Sequence, residues 1–185
     1  RDQQKVLHDD TAGCWTAPFI MAGVNTRVVR RSHALAGYPW GKDFRYREAV
    51  MTGTGAGGWL KGNMMAFALG ALAIGIYFRP TRSLLRRFVL PKPGEGPDEK
   101  AREAGFFNLM QVGKLPGGQI IRTRITGDRD PGYGSTSKML AEAAVCLAKD
   151  ELSSPGGVLT PAYAMGEHLL ERLRANAGLT FDVRD

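Results

Sequence analysis

The chain has 185 residues, of which 43% are hydrophobic and 23% are charged, and its formal net charge is +7. This length suits one domain with a sizeable core rather than two large ones, and the composition excludes a disordered protein. The positive charge raises the question of nucleic-acid binding. Much of the positive excess, however, lies in two arginine clusters without interleaved exposed aromatic side chains, so we predict that nucleic acid is not a partner. The clusters are Arg27, Arg30 and Arg31, and Arg79, Arg82, Arg86 and Arg87.

Cysteine and histidine are too scattered to form a metal site. Cys14 and Cys146 lie far apart in the sequence, and no zinc spacing or disulfide framework can be built from them, so we predict no metal. The histidines, His8, His33 and His168, have no carboxylate partner at close sequence spacing, and we predict none to be catalytic. A reducing cytoplasmic location is the default, and a peripheral position at a membrane stays open.

The first part of the chain predicts a helix and a strand after a polar opening. Residues 1–13 are polar and begin with arginine, which favours the interior of a longer protein, and they show no signal-peptide pattern. Residues 18–36 mix apolar side chains with arginines and predict a helix or a buried loop and helix. Residues 43–51 alternate in polarity and predict a half-buried strand with one charged face.

A glycine-dense stretch follows and matches a nucleotide-binding pattern. Gly53, Gly55 and Gly58 satisfy G-x-G-x-x-G between a predicted strand and a helical segment. The strand before them carries Arg45 and Arg47, whereas the first strand of a nucleotide-binding sheet is nearly all apolar. No acid stands about 20 residues further on, and no second parallel strand follows. An arginine near that position could serve a 2′-phosphate, which leaves a cofactor loop as the alternative. We interpret the glycines as a decoy within a flexible linker and assign no cofactor-binding residue in this chain.

The next segment, residues 59–90, is first apolar and then basic. Its uncharged run, residues 64–78, is shorter than the roughly 20 residues that a membrane-spanning helix needs. A buried core helix, a re-entrant segment and a helix at the interface all remain open. Residues 81–90 predict a basic amphipathic helix, which is typical of a headgroup layer but also of an ordinary solvated surface. A membrane surface is therefore one candidate partner.

The rest of the chain predicts a hairpin and two helices. Residues 91–98 form a Pro/Gly loop, and residues 106–112 and 119–126 predict the two strands of a hairpin. Ser135 or Ser137 is expected to cap the first helix. The inward face of that helix is predicted to carry Met139, Leu140, Ala143 and Leu147.

The last helix and strand have clear boundary signals. Thr160 and Pro161 predict the start of the helix, and Gly178 predicts its end. Residues 179–183 alternate in polarity and predict a final strand. Because strands and helices do not alternate strictly, the fold class predicted is α+β, with a mixed or antiparallel sheet and packed helices.

Three stretches resemble the saccharopine dehydrogenase-like family, in particular its branch of bacterial trans-acting enoyl reductases. They are WTAPFIMAGVNTRVVRRSHAL (15–35) with the following DFRYREAV, GDRDPGYGSTSKMLAEAAVCLA (127–148) and PGGVLTPAYAMGEHLLERL (155–173), and together they cover about half of the chain. The resemblance implies that residues 1–185 are the substrate- and lipid-facing carboxy-terminal domain of a Rossmann-type oxidoreductase. Its amino-terminal domain, which would bind NAD(P), is expected upstream and is missing here.

The resemblance also implies an activity and a substrate class. Such an enzyme reduces a double bond of a lipid-like or polyketide-type acyl substrate in lipid or glycolipid metabolism. Membrane and lipid-droplet association among animal relatives leaves an alternative, a non-catalytic membrane-associated module of the same family. A homodimer stays open.

Within the matching stretches, several polar residues are candidates for the site. Tyr133 is a candidate proton donor, and an arginine is suited to the phosphate or the carbonyl of a thioester substrate. Surface ion pairs, a turn aromatic and helix caps are the structural alternatives for these residues. Tyr46 and Glu48 are weaker candidates, for which a cross-strand pair is the alternative. The predicted substrate-binding residues are Asn25, Arg27, Arg30, Arg31, Ser32, Ser135 and Thr136.

Overall fold

The computed structural model describes residues 2–90, 92 and 94–184 of the chain. Arg1, Asp185 and two prolines of the predicted loop 91–98, Pro91 and Pro93, lie outside the described residues. The described part is α+β, with two separate antiparallel sheets of three strands each. The strands are β1 (Leu7–Asp9), β2 (Cys14–Pro18), β3 (Ala49–Gly53), β4 (Phe107–Lys114), β5 (Ile120–Gly127) and β6 (Leu179–Arg184). The helices are α1 (Ala22–Leu35), α2 (Gly55–Tyr77), α3 (Arg79–Phe88), α4 (Glu99–Ala104), α5 (Gly134–Lys149) and α6 (Pro161–Asn176).

The chain divides into two compact units. Unit 1 comprises Arg1–Arg30 and Trp40–Gly96, and unit 2 comprises Arg31–Pro39 and Pro97–Asp185. Helix α1 is continuous in the chain and supplies residues to both units.

Unit 1 is built on the sheet β1-β2-β3. The central strand β2 pairs antiparallel with both neighbours and buries Cys14 and Ala17. The prediction of a strand over residues 43–51 is wrong for most of that range, because pairing begins only where Ala49 meets Pro18. The residues before Ala49 are instead held by hydrogen bonds between side chains, which do not require a partner strand.

The junction between β3 and α2 is a tight turn rather than the flexible linker predicted for residues 53–58. Gly53 and Gly55 have φ values of 110° and 60°, a region that favours glycine. A Cβ atom at Gly58 would overlap the carbonyl oxygen of Gly53, and one at Gly62 would lie 2.9 Å from Val6 Cγ1. The glycines therefore let the first two turns of α2 lie directly against the sheet.

Helix α2 extends the predicted apolar run in the amino-terminal direction. It has 23 residues, and by length and composition it is the one helix in the described part of the chain that could cross a membrane. Its only buried residues are Gly58 and Gly62, so it is not a core helix of unit 1. Helix α3 confirms the predicted basic helix, and Leu85 packs against Gly75 of α2.

Unit 2 confirms the predicted hairpin and final helix within one or two residues. Strands β4 and β5 pair in register from Phe107 opposite Gly127 to Lys114 opposite Ile120, and β6 pairs with the other side of β5. Thr160 is the N-cap of α6, and Gly178 follows its end with a φ of 70°.

Helix α5 differs from its prediction in two respects. Ser135 and Ser137 do not cap it, because the carboxylate of Asp130 accepts hydrogen bonds from the amides of the first turn. Leu140 and Leu147 are not inward, being 70% and 61% exposed. Helix α5 has the amphipathic pattern that the sequence predicts. No described element of unit 2, however, covers the apolar stripe that includes Leu140 and Leu147.

An ion pair joins α5 to α6 in unit 2. Arg172 donates from Nη2 and Nε to the two carboxylate oxygens of Asp150, at 2.6 and 2.7 Å. These hydrogen bonds lower the pKa of Asp150 to about 2. Glu142 also accepts from Arg172, at 3.5 Å, so one guanidinium ties the end of α5 to α6.

We predict that Gly58→Ala destabilises the protein, while Gly57→Ala does not. The added methyl at Gly58 would displace the backbone of Gly53, and overpacking of this kind costs about 1–3 kcal/mol. A Cβ at Gly57 meets no atom within 4 Å, and alanine there gains up to about 1 kcal/mol of helix propensity. Urea unfolding followed by circular dichroism measures both, and equal stabilities would restore the linker interpretation.

A second prediction concerns acid stability. Since the pKa of Asp150 in the folded protein is about 2, the folded state binds fewer protons than the unfolded state between about pH 4 and pH 2. The stabilisation is present above about pH 4 and is lost as the pH falls towards 2. Asp150→Asn should therefore be less stable than the parent at neutral pH, with the difference shrinking on acidification. Glu151→Gln, an exposed neighbour, is the control in urea titrations at several pH values.

Candidate functional site

Glu48 organises a polar cluster in unit 1 that includes two predicted substrate-binding residues, Asn25 and Arg30, and both weaker candidates, Tyr46 and Glu48 itself. Asn25 Nδ2 donates a hydrogen bond to Glu48 Oε2 at 2.9 Å, and the Tyr46 hydroxyl donates to Glu48 Oε1 at 3.0 Å. Arg30 Nη2 donates to the backbone oxygen of Tyr46 at 3.2 Å and pairs with Asp2 at 3.3 Å. Asn25, Tyr46 and Glu48 are half-buried, so their orientation is fixed, while Arg30 is exposed.

The electrostatics of this cluster favour a neutral tyrosine. Burial, followed by the hydrogen bond and the negative charge of Glu48, raises the pKa of Tyr46 to about 12. Tyr46 is therefore protonated at physiological pH and serves as a hydrogen-bond donor. Both oxygens of Glu48 accept hydrogen bonds, so Glu48 is not an open general base. The hydroxyl hydrogen of Tyr46 is used in this contact, while Asn25 Nδ2 keeps a second hydrogen for a ligand.

The five residues predicted from α1 do not form one group. Asn25, Arg27 and Arg30 belong to unit 1, and Arg27 is exposed. Arg31 and Ser32 belong to unit 2, where Arg31 is exposed and Ser32 Oγ donates to Thr160 Oγ1 at 2.8 Å. The surface pairing considered for these arginines occurs for Arg30.

The second group of predicted residues lies at the start of α5, in unit 2. Tyr133 is 58% exposed at the N-cap position, so its hydroxyl is accessible to a ligand. Ser135 is fully buried and donates to the carbonyl oxygen of Arg129 at 3.2 Å. Thr136 donates to the carbonyl oxygen of Pro131 at 2.6 Å. Both hydroxyls therefore have structural hydrogen bonds, while Tyr133 remains the accessible member.

Asp130 occupies the amino end of α5, and the sequence interpretation missed it. Its Oδ2 accepts from the amides of Tyr133 at 2.7 Å and Gly134 at 3.3 Å. The hydrogen bond from Tyr133, opposed by desolvation and reinforced by Gly134, lowers the pKa of Asp130. The signal was available, because Asp followed by Pro and Gly is typical of a turn closed by the aspartate side chain.

The glycines at the β3–α2 junction do not fit a dinucleotide site. Strand β3 lies at the edge of an antiparallel sheet, whereas the nucleotide fold needs a parallel neighbour at this point. Gly58 serves close packing onto Gly53. Cofactor binding by residues of this chain therefore gains no support from the fold.

Other potential sites are limited. Within residues 2–90, 92 and 94–184, no group of three or more His, Cys, Asp or Glu side chains is placed to hold a metal ion. His8 Nδ1 lies 2.7 Å from Asp10 Oδ1, so the prediction that His8 lacks a nearby carboxylate is wrong, although both side chains are exposed. Among the open concave surfaces of the described residues, one is lined by Asp98, Glu99, Lys100, Glu103 and Ala104, and another by Arg79, Arg82, Ser83, Arg86 and Arg87.

Comparison with known proteins gives one consistent group of relatives. The chain is 44% identical over 96% of its length to a Mycobacterium tuberculosis protein provisionally named a trans-acting enoyl reductase. It is similar to trans-acting enoyl reductases. Those of Mycobacterium ulcerans and Mycobacterium bovis are 40% and 39% identical over 90% of the chain. These relatives support the enoyl reductase branch of the resemblance, but their names do not extend to the saccharopine dehydrogenase-like family.

The chain spans 43%, 41% and 41% of the lengths of these three relatives, less than half in each case. No protein-family model matches the chain. No solved structure matches it either.

The cluster around Glu48 makes a prediction for Tyr46. In a spectrophotometric titration of phenolate absorbance, the parent protein should contain one tyrosine with a pKa of about 12 that is absent from Tyr46→Phe. Glu48→Gln removes the negative charge and should lower this pKa towards the ordinary value near 10. Glu167→Gln, an exposed carboxylate of unit 2, is the control and should leave the titration unchanged. A titration curve for Glu48→Gln that is identical to that of the parent protein would contradict the hydrogen bond between Tyr46 and Glu48.

Proposed function

We propose that this chain is the substrate-side portion of an NAD(P)-dependent enoyl reductase of the saccharopine dehydrogenase-like family. Its substrate would be a lipid or polyketide-type acyl chain, in lipid or glycolipid metabolism. The observation that carries the proposal is the 44% identity over 96% of the chain to a protein provisionally named for this activity. The enzyme would be cytoplasmic and peripheral at a membrane, and a homodimer is compatible with the proposal.

A further segment of the protein is part of the proposal. The relatives are more than twice as long as the matched region, and the glycines of this chain do not fit the cofactor. We therefore assign NAD(P) binding to an upstream nucleotide domain. The exposed apolar stripe of α5, which includes Leu140 and Leu147, supports a covering element of this kind, because exposed apolar surface in a stable protein marks a contact.

The residues of this chain would bind and protonate the substrate. NAD(P)H, when bound, would supply hydride chemistry at one carbon of the double bond, and residues of this chain would have to provide a proton for the other carbon. Tyr133 is the proposed donor because its hydroxyl is exposed and ends a turn that Asp130 fixes through the Tyr133 amide. Arg31, exposed and in the same unit as Tyr133, is suited to the phosphate of a carrier-bound thioester.

The second candidate is a non-catalytic membrane-associated module of the same family. The observation that favours it is the exposed apolar helix α2, which occupies a large part of unit 1 and is unnecessary for hydride chemistry. The two candidates differ in one measurable property, namely turnover that depends on cofactor.

The test uses the longer protein with its upstream segment. Purified protein is mixed with NADPH or NADH and an enoyl thioester, and cofactor absorbance is followed. Consumption that requires the thioester supports the reductase. Cofactor that neither binds nor is consumed favours the non-catalytic module.

Tyr133→Phe is the decisive variant for the site. Loss of a general acid lowers turnover about 100-fold or more, while cofactor affinity should change little because Tyr133 is assigned to the substrate. Tyr163→Phe, a half-buried tyrosine of the same unit, is the matched control and should retain turnover. Unchanged turnover in Tyr133→Phe would remove this residue from the mechanism without affecting the wider proposal.

A further inference from the structure

Helices α2 and α3 form an apolar and basic hairpin that no described residue covers. Beyond Gly62, no residue of α2 or α3 is buried. Phe67 is 78% exposed and Ile74 is 62% exposed, and exposed apolar side chains continue along both helices. Contiguous apolar surface of this extent marks a contact with a membrane or another protein.

The charges of the hairpin favour an anionic lipid surface as the contact. The sequence from Gly55 to Phe88 contains no acidic residue, and the salt bridges among the described residues involve none of its four arginines. Those arginines are Arg79, Arg82, Arg86 and Arg87, and with Ser83 they line one concave surface. Convergent guanidinium groups are suited to phosphate oxygens. The opposite side of α3 carries Leu84 and Phe88, both exposed, which is the pattern of a helix at a lipid interface.

The chain connectivity excludes a helix that crosses the bilayer. Ser32, which precedes α2, donates a hydrogen bond to Thr160, which follows α3, and both residues belong to unit 2. The chain must therefore return to the side from which it left. Elsewhere in the described part of the chain, no second helix is long and apolar enough for a return crossing.

The length and the ends of α2 lead to the same conclusion. Its first turns are packed against the sheet, so residues 63–77 are the part available to lipid, roughly 22 Å at about 1.5 Å per residue. The hydrocarbon core is about 30 Å thick, which this part does not span. Lys61 stands at one end of the apolar run and Arg79 at the other, and charged side chains stay at headgroup level. Trp59 and Tyr77, exposed aromatics that favour the interface, flank the run in the same way.

We infer that the α2–α3 hairpin docks into one leaflet of an anionic bilayer, lying in the interface, with the arginines of α3 on lipid phosphates. Both ends of α2 stay on the same side of the membrane. This orientation would keep the segments before α2 and after α3 on the same side of the bilayer. The inference rests on the hairpin alone and does not require reductase activity.

Vesicle flotation of the full chain tests the lipid contact. We expect binding to phosphatidylcholine vesicles containing roughly one third phosphatidylglycerol, and weaker binding to phosphatidylcholine alone. Phe67→Glu and Ile74→Glu should each weaken binding about tenfold or more, because a charge is forced into the apolar layer. Val158→Glu is the control, since Val158 is 91% exposed in a loop of unit 2.

The arginines have their own matched comparison. Changing Arg82, Arg86 and Arg87 together to glutamine should weaken binding to the anionic vesicles about 100-fold, at about fivefold per arginine. Changing Lys100, Lys114 and Lys149 to glutamine alters the net charge equally and should have little effect. Binding that is absent, or that the hairpin variants leave unchanged, would overturn the inference. A parent protein that forms a dimer and does not bind vesicles, with the dimer lost in Phe67→Glu, would also overturn it. In that case a second copy of the chain would cover α2.

Labelling on vesicles distinguishes docking from crossing. Ser83→Cys lies among the arginines of α3, and Ser153→Cys lies in an exposed loop of unit 2. Protein added from outside should react at both positions with a membrane-impermeant maleimide, while the native Cys14 and Cys146 are buried. Because no second described helix could return, a crossing α2 would carry Ser83 and Ser153 to the far side together. Protection of both positions would therefore mean that α2 crosses, and the one-leaflet arrangement would be wrong.

Discussion

The close approach of helix α2 to strand β3 is the contact on which the structure of unit 1 depends. It is possible only because residues 58 and 62 lack side chains, so that the helix backbone reaches Gly53 and Val6 directly. The first turns of α2 are thereby fixed on the sheet. All later residues of the helix are directed beyond it, and α3 packs on their far end through Leu85 and Gly75. A nucleotide-like glycine pattern thus serves helix packing, and the apolar hairpin follows from it.

Two carboxylates organise the polar regions in a comparable way. Glu48 holds Asn25 and Tyr46 in unit 1, and Asp130 holds the turn that carries Tyr133 in unit 2. In each case the acid is engaged by donors of its own unit. The groups left for a substrate are therefore donors and cations rather than bases. This chemistry suits stabilisation and protonation of a developing negative charge better than abstraction of a proton.

Sequence reasoning succeeded where local chemistry decides the outcome. The hairpin of unit 2 and helix α6 were predicted because Pro, Gly and Thr mark their boundaries. It failed over residues 43–51, since alternating polarity also arises in an extended segment held by side-chain hydrogen bonds. It assigned Leu140 and Leu147 to a core because periodicity shows an apolar face but not what covers it. The site residues were named individually, but the hydrogen bonds of Glu48 depend on tertiary contacts that a sequence does not contain.

The aspartate at the amino end of α5 has a consequence for any anion that approaches this helix. Asp130 is covalently tethered, so it behaves like a competing ligand whose effective concentration is at least millimolar. Its lowered pKa keeps it ionised at physiological pH. A free anion at micromolar concentration would not displace it. A larger substrate can bind the protein through other contacts and so hold its phosphate at a high local concentration near the helix. Such a phosphate competes with the Asp130 carboxylate on equal terms. The amino end of α5 therefore favours ligands that are large enough to bind elsewhere on the protein as well.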